Sequence, residues 1–100
     1  MMEPDFVADV RLATTDQGGR AGPILSSPFS CIMVLNGSNH DVRIRLDPPW
    51  ALGEGRQVGV YLLDPSTADK LHAGSTFVLR EVRTIATGTV VEVPAKQAVA

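Results

Sequence analysis

The stretch from Phe77 to Val93, FVLREVRTIATGTVVEV, leaves a chain of this size little choice of fold. Its first arm alternates Phe77 and Leu79 against Val78 and Arg80, the two-residue period of a strand with one buried side. The run breaks at Glu81, Val82 and Arg83. The second arm, Thr84 to Val93, is dominated by Thr, Ile and Val, whose branching at Cβ favours the pleated backbone over helix. Gly88 interrupts that arm, and a missing side chain within a strand marks a bulge or a close backbone approach at a barrel corner. The expectation is the closing hairpin of a small β-barrel.

Further strands are legible upstream. Phe6, Ala8, Val10 and Leu12 alternate with Val7, Asp9 and Arg11 in a first strand, preceded by a loose start at residues 1–5. Thr14 to Pro23, TTDQGGRAGP, is a turn-rich loop in which Gly18 and Gly19 are free to take positive φ. Their amides, with Arg20, could also cup an anion, but no helix follows and the lysine and hydroxyl of a phosphate loop are missing. Ser30 to Leu35 is a second strand, Asn36-Gly37-Ser38-Asn39 a hairpin turn, and His40 to Leu46 a third strand. Val42, Ile44 and Leu46 share one face of it, and Arg43 and Arg45 share the other. That second face reads either as a solvated exterior or as a contact patch for an acidic partner.

Asp47-Pro48-Pro49-Trp50 ends the third strand, since two prolines remove two ladder donors. Trp50, the one tryptophan, reads as a partly buried lid or as an exposed anchor for a partner. Val58, Val60 and Leu62 form the inner face of a fourth strand. Ser66 to Leu71 could make one helical turn capped by Ser66 or Thr67. Pro94 ends the last strand, and residues 94–100 read as a frayed tail. Six strands without a helix long enough to cover a sheet must close on themselves, so the expected fold is all-β, a six-stranded closed antiparallel barrel over residues 6–93.

Composition narrows the function. One hundred residues make a single domain, and 44% hydrophobic with 20% charged residues is ordinary for a globular chain. A net charge of -2 argues against nonspecific nucleic-acid binding, which depends on many cations meeting phosphates. No apolar run approaches the roughly 20 residues of a membrane helix, and the acidic start lacks the pattern of a signal peptide, so a cytoplasmic protein with no membrane partner is expected. The single Cys31 lies in an apolar run and reads as a core residue. His40 and His72 lack neighbouring ligands, Gly53 to Gly59 lacks the βαβ setting of a nucleotide site, and no hydroxyl has a base partner. No metal, cofactor, nucleotide or catalysis is expected.

Three motifs in order carry a family resemblance. Gly18-Gly19-Arg20 with Pro23 resembles a Gly-Gly-Arg-x-x-Pro loop, Gly55 to Pro65 resembles a Gly-x-x-Val-x-Val-x-Leu-x-x-Pro strand, and Phe77 to Val90 resembles a final hairpin with an Arg-Glu-Gly-Gly-Arg-Thr turn. Together they resemble the third, C-terminal β-barrel domain of elongation factor Tu and its relatives, here as a stand-alone domain. The resemblance implies the same barrel. It also implies that Arg20 and Glu81 stand where that domain meets the T-stem of aminoacyl-tRNA. Other expected RNA-facing positions differ: Ala21 and Gly22 follow the arginine, Phe29 replaces a glutamine after Pro28, Val82 replaces the paired glycines, and Asp64 precedes Pro65.

Residues that shape the barrel match, and half or more of those that touch RNA in the family do not. The expectation is a non-catalytic module binding a protein partner, extending to mimicry of the factor or an immunity or decoy role. Arg20 and Glu81 are its family-matched residues, and Gly18, Gly19, Arg43, Arg45, Trp50 and Arg83 its wider contact surface. The alternative is a tRNA- or RNA-binding accessory of translation using Arg20, Arg43, Arg45 and Arg83. Self-association is left open, because six short strands leave a seam available for pairing.

Overall fold

The structure, a computed structural model, describes residues 3–94. Six strands run β1 (Phe6–Leu12), β2 (Phe29–Leu35), β3 (Ser38–Ile44), β4 (Gly55–Leu62), β5 (Thr76–Arg80) and β6 (Thr84–Glu92). They close in the order β1-β4-β3-β2-β5-β6, every neighbouring pair antiparallel. Closure removes the free edges that an open sheet of this length would expose.

The expected faces hold. Phe6, Ala8, Val10 and Leu12 point inward from β1, Val42 and Ile44 from β3, Val58, Val60 and Leu62 from β4, and Phe77 and Leu79 from β5. β2 and β3 meet through a two-residue turn rather than four. Asn36 (φ 50°) and Gly37 (φ 80°) both take left-handed backbone, Leu35 pairs with Ser38, and β3 therefore starts before His40.

Gly88 is not a bulge. It keeps register with both Val10 and Phe77, while the irregularities fall between Val7 and Ala8 and between Leu79 and Arg80. Its missing side chain makes room for the Phe77 ring, whose outer carbons fill the place a Cβ would take. Phe77 in turn meets Phe6 edge to face, with centroids 5.9 Å apart and planes at 82°.

One barrel end is sealed by loops. Ile24 and Trp50 exchange two backbone hydrogen bonds of 3.0 and 2.9 Å, tying the loop after β1 to the loop after β3. Ile24, inconspicuous among Gly, Pro and Ser, is fully buried there. The helical turn after β4 is a 3-10 segment, Pro65–Lys70, capped by Asp64 rather than by Ser66 or Thr67: the Asp64 carboxylate accepts from the Ser66 amide at 3.1 Å. Asp5, placed in the loose start, is held by two hydrogen bonds, its amide to Val60 O at 2.9 Å and its carboxylate from the Leu62 amide at 2.8 Å. Of the expected loose ends, residues 1–2 and 95–100 lie outside the described residues.

Candidate binding surface

The two family-matched residues, 61 positions apart, meet. Arg20 Nη1 donates to Glu81 Oε1 at 2.7 Å, joining the Gly-Gly-Arg loop to the closing hairpin. Arg20 Nε donates to Gly22 O at 3.1 Å, and the guanidinium lies 5.4 Å from the centre of the Phe29 ring. Phe29 is thus the aromatic floor beneath the arginine, a cation–π arrangement that a glutamine at that position would not provide. The loop is further pinned by Thr15 Oγ1, which donates to Arg20 O at 2.8 Å. The turn itself places Val82 at its tip, 90% exposed, and closes with the Glu81 amide donating to Arg83 O at 3.0 Å.

Three of the expected contact residues are engaged within the fold. Gly18 and Gly19 do not present their amides outward: they donate to Thr15 O and Thr14 O at 2.9 and 3.0 Å, completing a 3-10 turn. Gly19 is buried, and a Cβ there would lie 2.5 Å from Ala13 O, so glycine is required by packing rather than by a ligand. Trp50 takes the lid position and not the anchor's, and its burial is complete rather than partial, for no part of it reaches solvent. Its indole N–H donates to Glu54 O at 3.0 Å, and Arg56 lies over it at 5.7 Å. Arg56, which the sequence did not single out, binds the carbonyls of Asp47 and Pro49 at 2.7 and 2.6 Å and the Glu54 carboxylate at 2.6 Å. It locks the lid that covers the core.

Titratable groups follow from these contacts. The hydrogen bond from Arg56 and that from the Ala51 amide hold the Glu54 carboxyl below its ordinary value, and those from Ser66 do the same for Asp64. Burial, and then the charge of Glu81, push the Cys31 thiol up to about 12, which leaves it a packing group rather than a nucleophile. His40 faces Thr67 while His72 faces Ala73, on separate segments. Among the described residues no three His, Cys, Asp or Glu side chains gather as a metal site would require.

The exterior of β2, β3 and β4 carries a groove of about 800 Å³. Strand register sets its lining in rows: Arg80 pairs with Ile32, which pairs with Asp41, and Ser30 pairs with Arg43, which pairs with Tyr61. Arg45 follows Arg43 on the same side and lies 5.7 Å from the centre of the Tyr61 ring. Arg43 and Arg45 are therefore brought together as the alternation implied. Arg83 lies in the hairpin turn and does not line this groove.

No family model and no curated protein sequence matches the chain. Among solved structures it superposes on a crystal structure of Sup35 complexed with GDP, with a TM-score of 0.64 at 16% identity. The likeness is one of fold, a closed six-stranded antiparallel barrel. The overlap takes in 93% of this chain but only 26% of the Sup35 chain, so the likeness concerns one barrel within a longer protein.

Proposed function

We propose that the chain is a non-catalytic, protein-binding module built on the barrel of the third domain of elongation factor Tu. The observation that carries this is the Arg20–Glu81 pair. In that domain the two positions face the T-stem, whereas here each is the other's partner and Arg20 also rests on Phe29. A phosphate would have to compete with a 2.7 Å ion pair for one guanidinium. The negative net charge supports the same direction, since it opposes nonspecific attraction to RNA.

The test is affinity capture from cell lysate with the tagged chain beside the double variant Arg20→Glu, Glu81→Arg, identifying proteins and RNA together. The swap leaves opposite charges at the two positions, and unchanged emission of the buried Trp50 confirms an intact barrel. Recovery of the same protein by both forms, without tRNA, is the expected result, and a protein that also binds the elongation factor would give the module a mimic's role. Recovery of tRNA by the unmutated form alone would overturn the reading.

A further inference from the structure

We infer that the groove over β2, β3 and β4 is the seat of the partner, and that it takes an extended acidic segment of a protein carrying an apolar residue. This rests on the protein-binding reading above and names its surface and ligand chemistry. Three guanidiniums line the groove, from Arg43, Arg45 and Arg80, in a chain whose net charge is negative. Two carboxylates share it, Asp41 and Glu81, and Glu81 is already neutralised by Arg20. The groove is thus a cationic island on an acidic molecule, which steers a negatively charged partner to this side.

Its floor is apolar. Ile32 lies between Arg80 and Asp41 in the register, Tyr61 stands beside Arg43, and Leu63 is 72% exposed at the rim. Exposure of Leu63 beside Ile32 and Tyr61 is a cost that a bound apolar side chain would remove. Arg43 and Arg45, two residues apart on one face of β3 and its extension, leave the backbone roughly 7 Å apart, the spacing at which alternate side chains leave an extended peptide.

The same residues suit RNA poorly. Base recognition by single-strand binders uses an open aromatic face, and the Tyr61 ring is already shared with Arg45. Asp41 would also face the phosphates, whereas a peptide can set an amide or a cation opposite it.

The experiment is titration of the full, isotope-labelled chain with the peptide acetyl-Glu-Glu-Glu-Glu-Leu-amide, whose first and third carboxylates and leucine share one face when extended, followed by amide chemical shifts. Saturable shifts at Ser30, Ile32, Arg43 and Tyr61 are expected, weakening as salt rises. The double variant Arg43→Glu, Arg45→Glu should lose roughly tenfold or more in affinity. Leu63→Ser, which leaves all charges in place, should also weaken binding. All three positions are exposed, so unchanged Trp50 emission confirms an intact barrel in each variant.

Absence of shifts, shifts confined to another face, or equal binding by the charge-reversed variant would overturn the inference. Tighter binding of a uridine pentanucleotide at the same amides would overturn it in favour of RNA. Lysate capture separates the two levels: a protein recovered equally by the unmutated and charge-reversed chains overturns the groove while leaving the module, and no protein recovered by either overturns the module itself.

Discussion

Gly88→Ala is the substitution that tests the packing of the barrel most sharply. Gly88 lies in the regular part of β6, and the site would accept alanine's backbone conformation without strain. The cost is therefore steric, from three ring carbons of Phe77 that all lie within 3.0 Å of the added methyl's place. Phe77 has little room to retreat, since it is buried and packed edge-on against Phe6. Overpacking of this kind costs about 1–3 kcal/mol, and three blocked atoms put the site near the upper end. Replacing a strand glycine by alanine returns about 0.5–1 kcal/mol of unfolded-state entropy. The expected net loss is about 2 kcal/mol, equivalent to roughly 8–16 °C in Tm for a domain of this length. Urea unfolding followed by emission of the single, buried Trp50 measures it. In a Phe77→Leu background, which removes the outer ring carbons, the same glycine change should cost less than about 0.5 kcal/mol. An equal loss in both backgrounds, or none in either, would refute this account of Gly88.

Arg56→Ala should cost about 1–3 kcal/mol, because the carbonyls of Asp47 and Pro49 lose charge-assisted partners, and Trp50 emission should shift to the red as the lid loosens. Glu54 and Asp64, both held below their ordinary carboxyl values, bind fewer protons folded than unfolded; their contribution is present above the unfolded values and is lost as pH falls through the folded ones. Glu54→Gln should accordingly flatten the acid limb of a stability-against-pH curve below pH of about 4.5. Cys31 has the opposite sign: its raised value means stability is full below the ordinary thiol pKa and declines as pH rises toward about 12, and at pH of about 8 a thiol reagent should label it only at the rate of unfolding.

The barrel was legible because its information is local. Period-two alternation in β1, β4 and β5 marks the inner face without reference to any neighbour, and the bounded runs count the strands. Contacts between distant loops have no such local mark. Ile24 gives no period to follow, yet its partner across the barrel end is Trp50, 26 residues later. Trp50 reads from the sequence as either a lid or an anchor because indole serves both cores and interfaces, and only the Arg56 clamp and the Ile24 bridge decide for the core. Gly88 was correctly singled out, but a bulge and a close approach leave the same glycine in the sequence; the Phe77 ring distinguishes them. The Arg20–Glu81 pair shows the limit most clearly. Both residues were identified by resemblance as RNA contacts, and their separation along the chain hid that each satisfies the other. A hint lay in Phe29, whose apolar ring replaces a polar residue beneath the arginine.

The measurement that bears most directly on this account is titration of the purified chain with tRNA across a salt series. With Arg20 held by Glu81 and Phe29, no saturable binding is expected at physiological salt, and the Arg20→Glu, Glu81→Arg variant should behave like the unmutated chain. Saturable binding that the variant loses, with log affinity falling against log salt by about 0.9 per phosphate contacted, would contradict it and return the inherited surface to RNA.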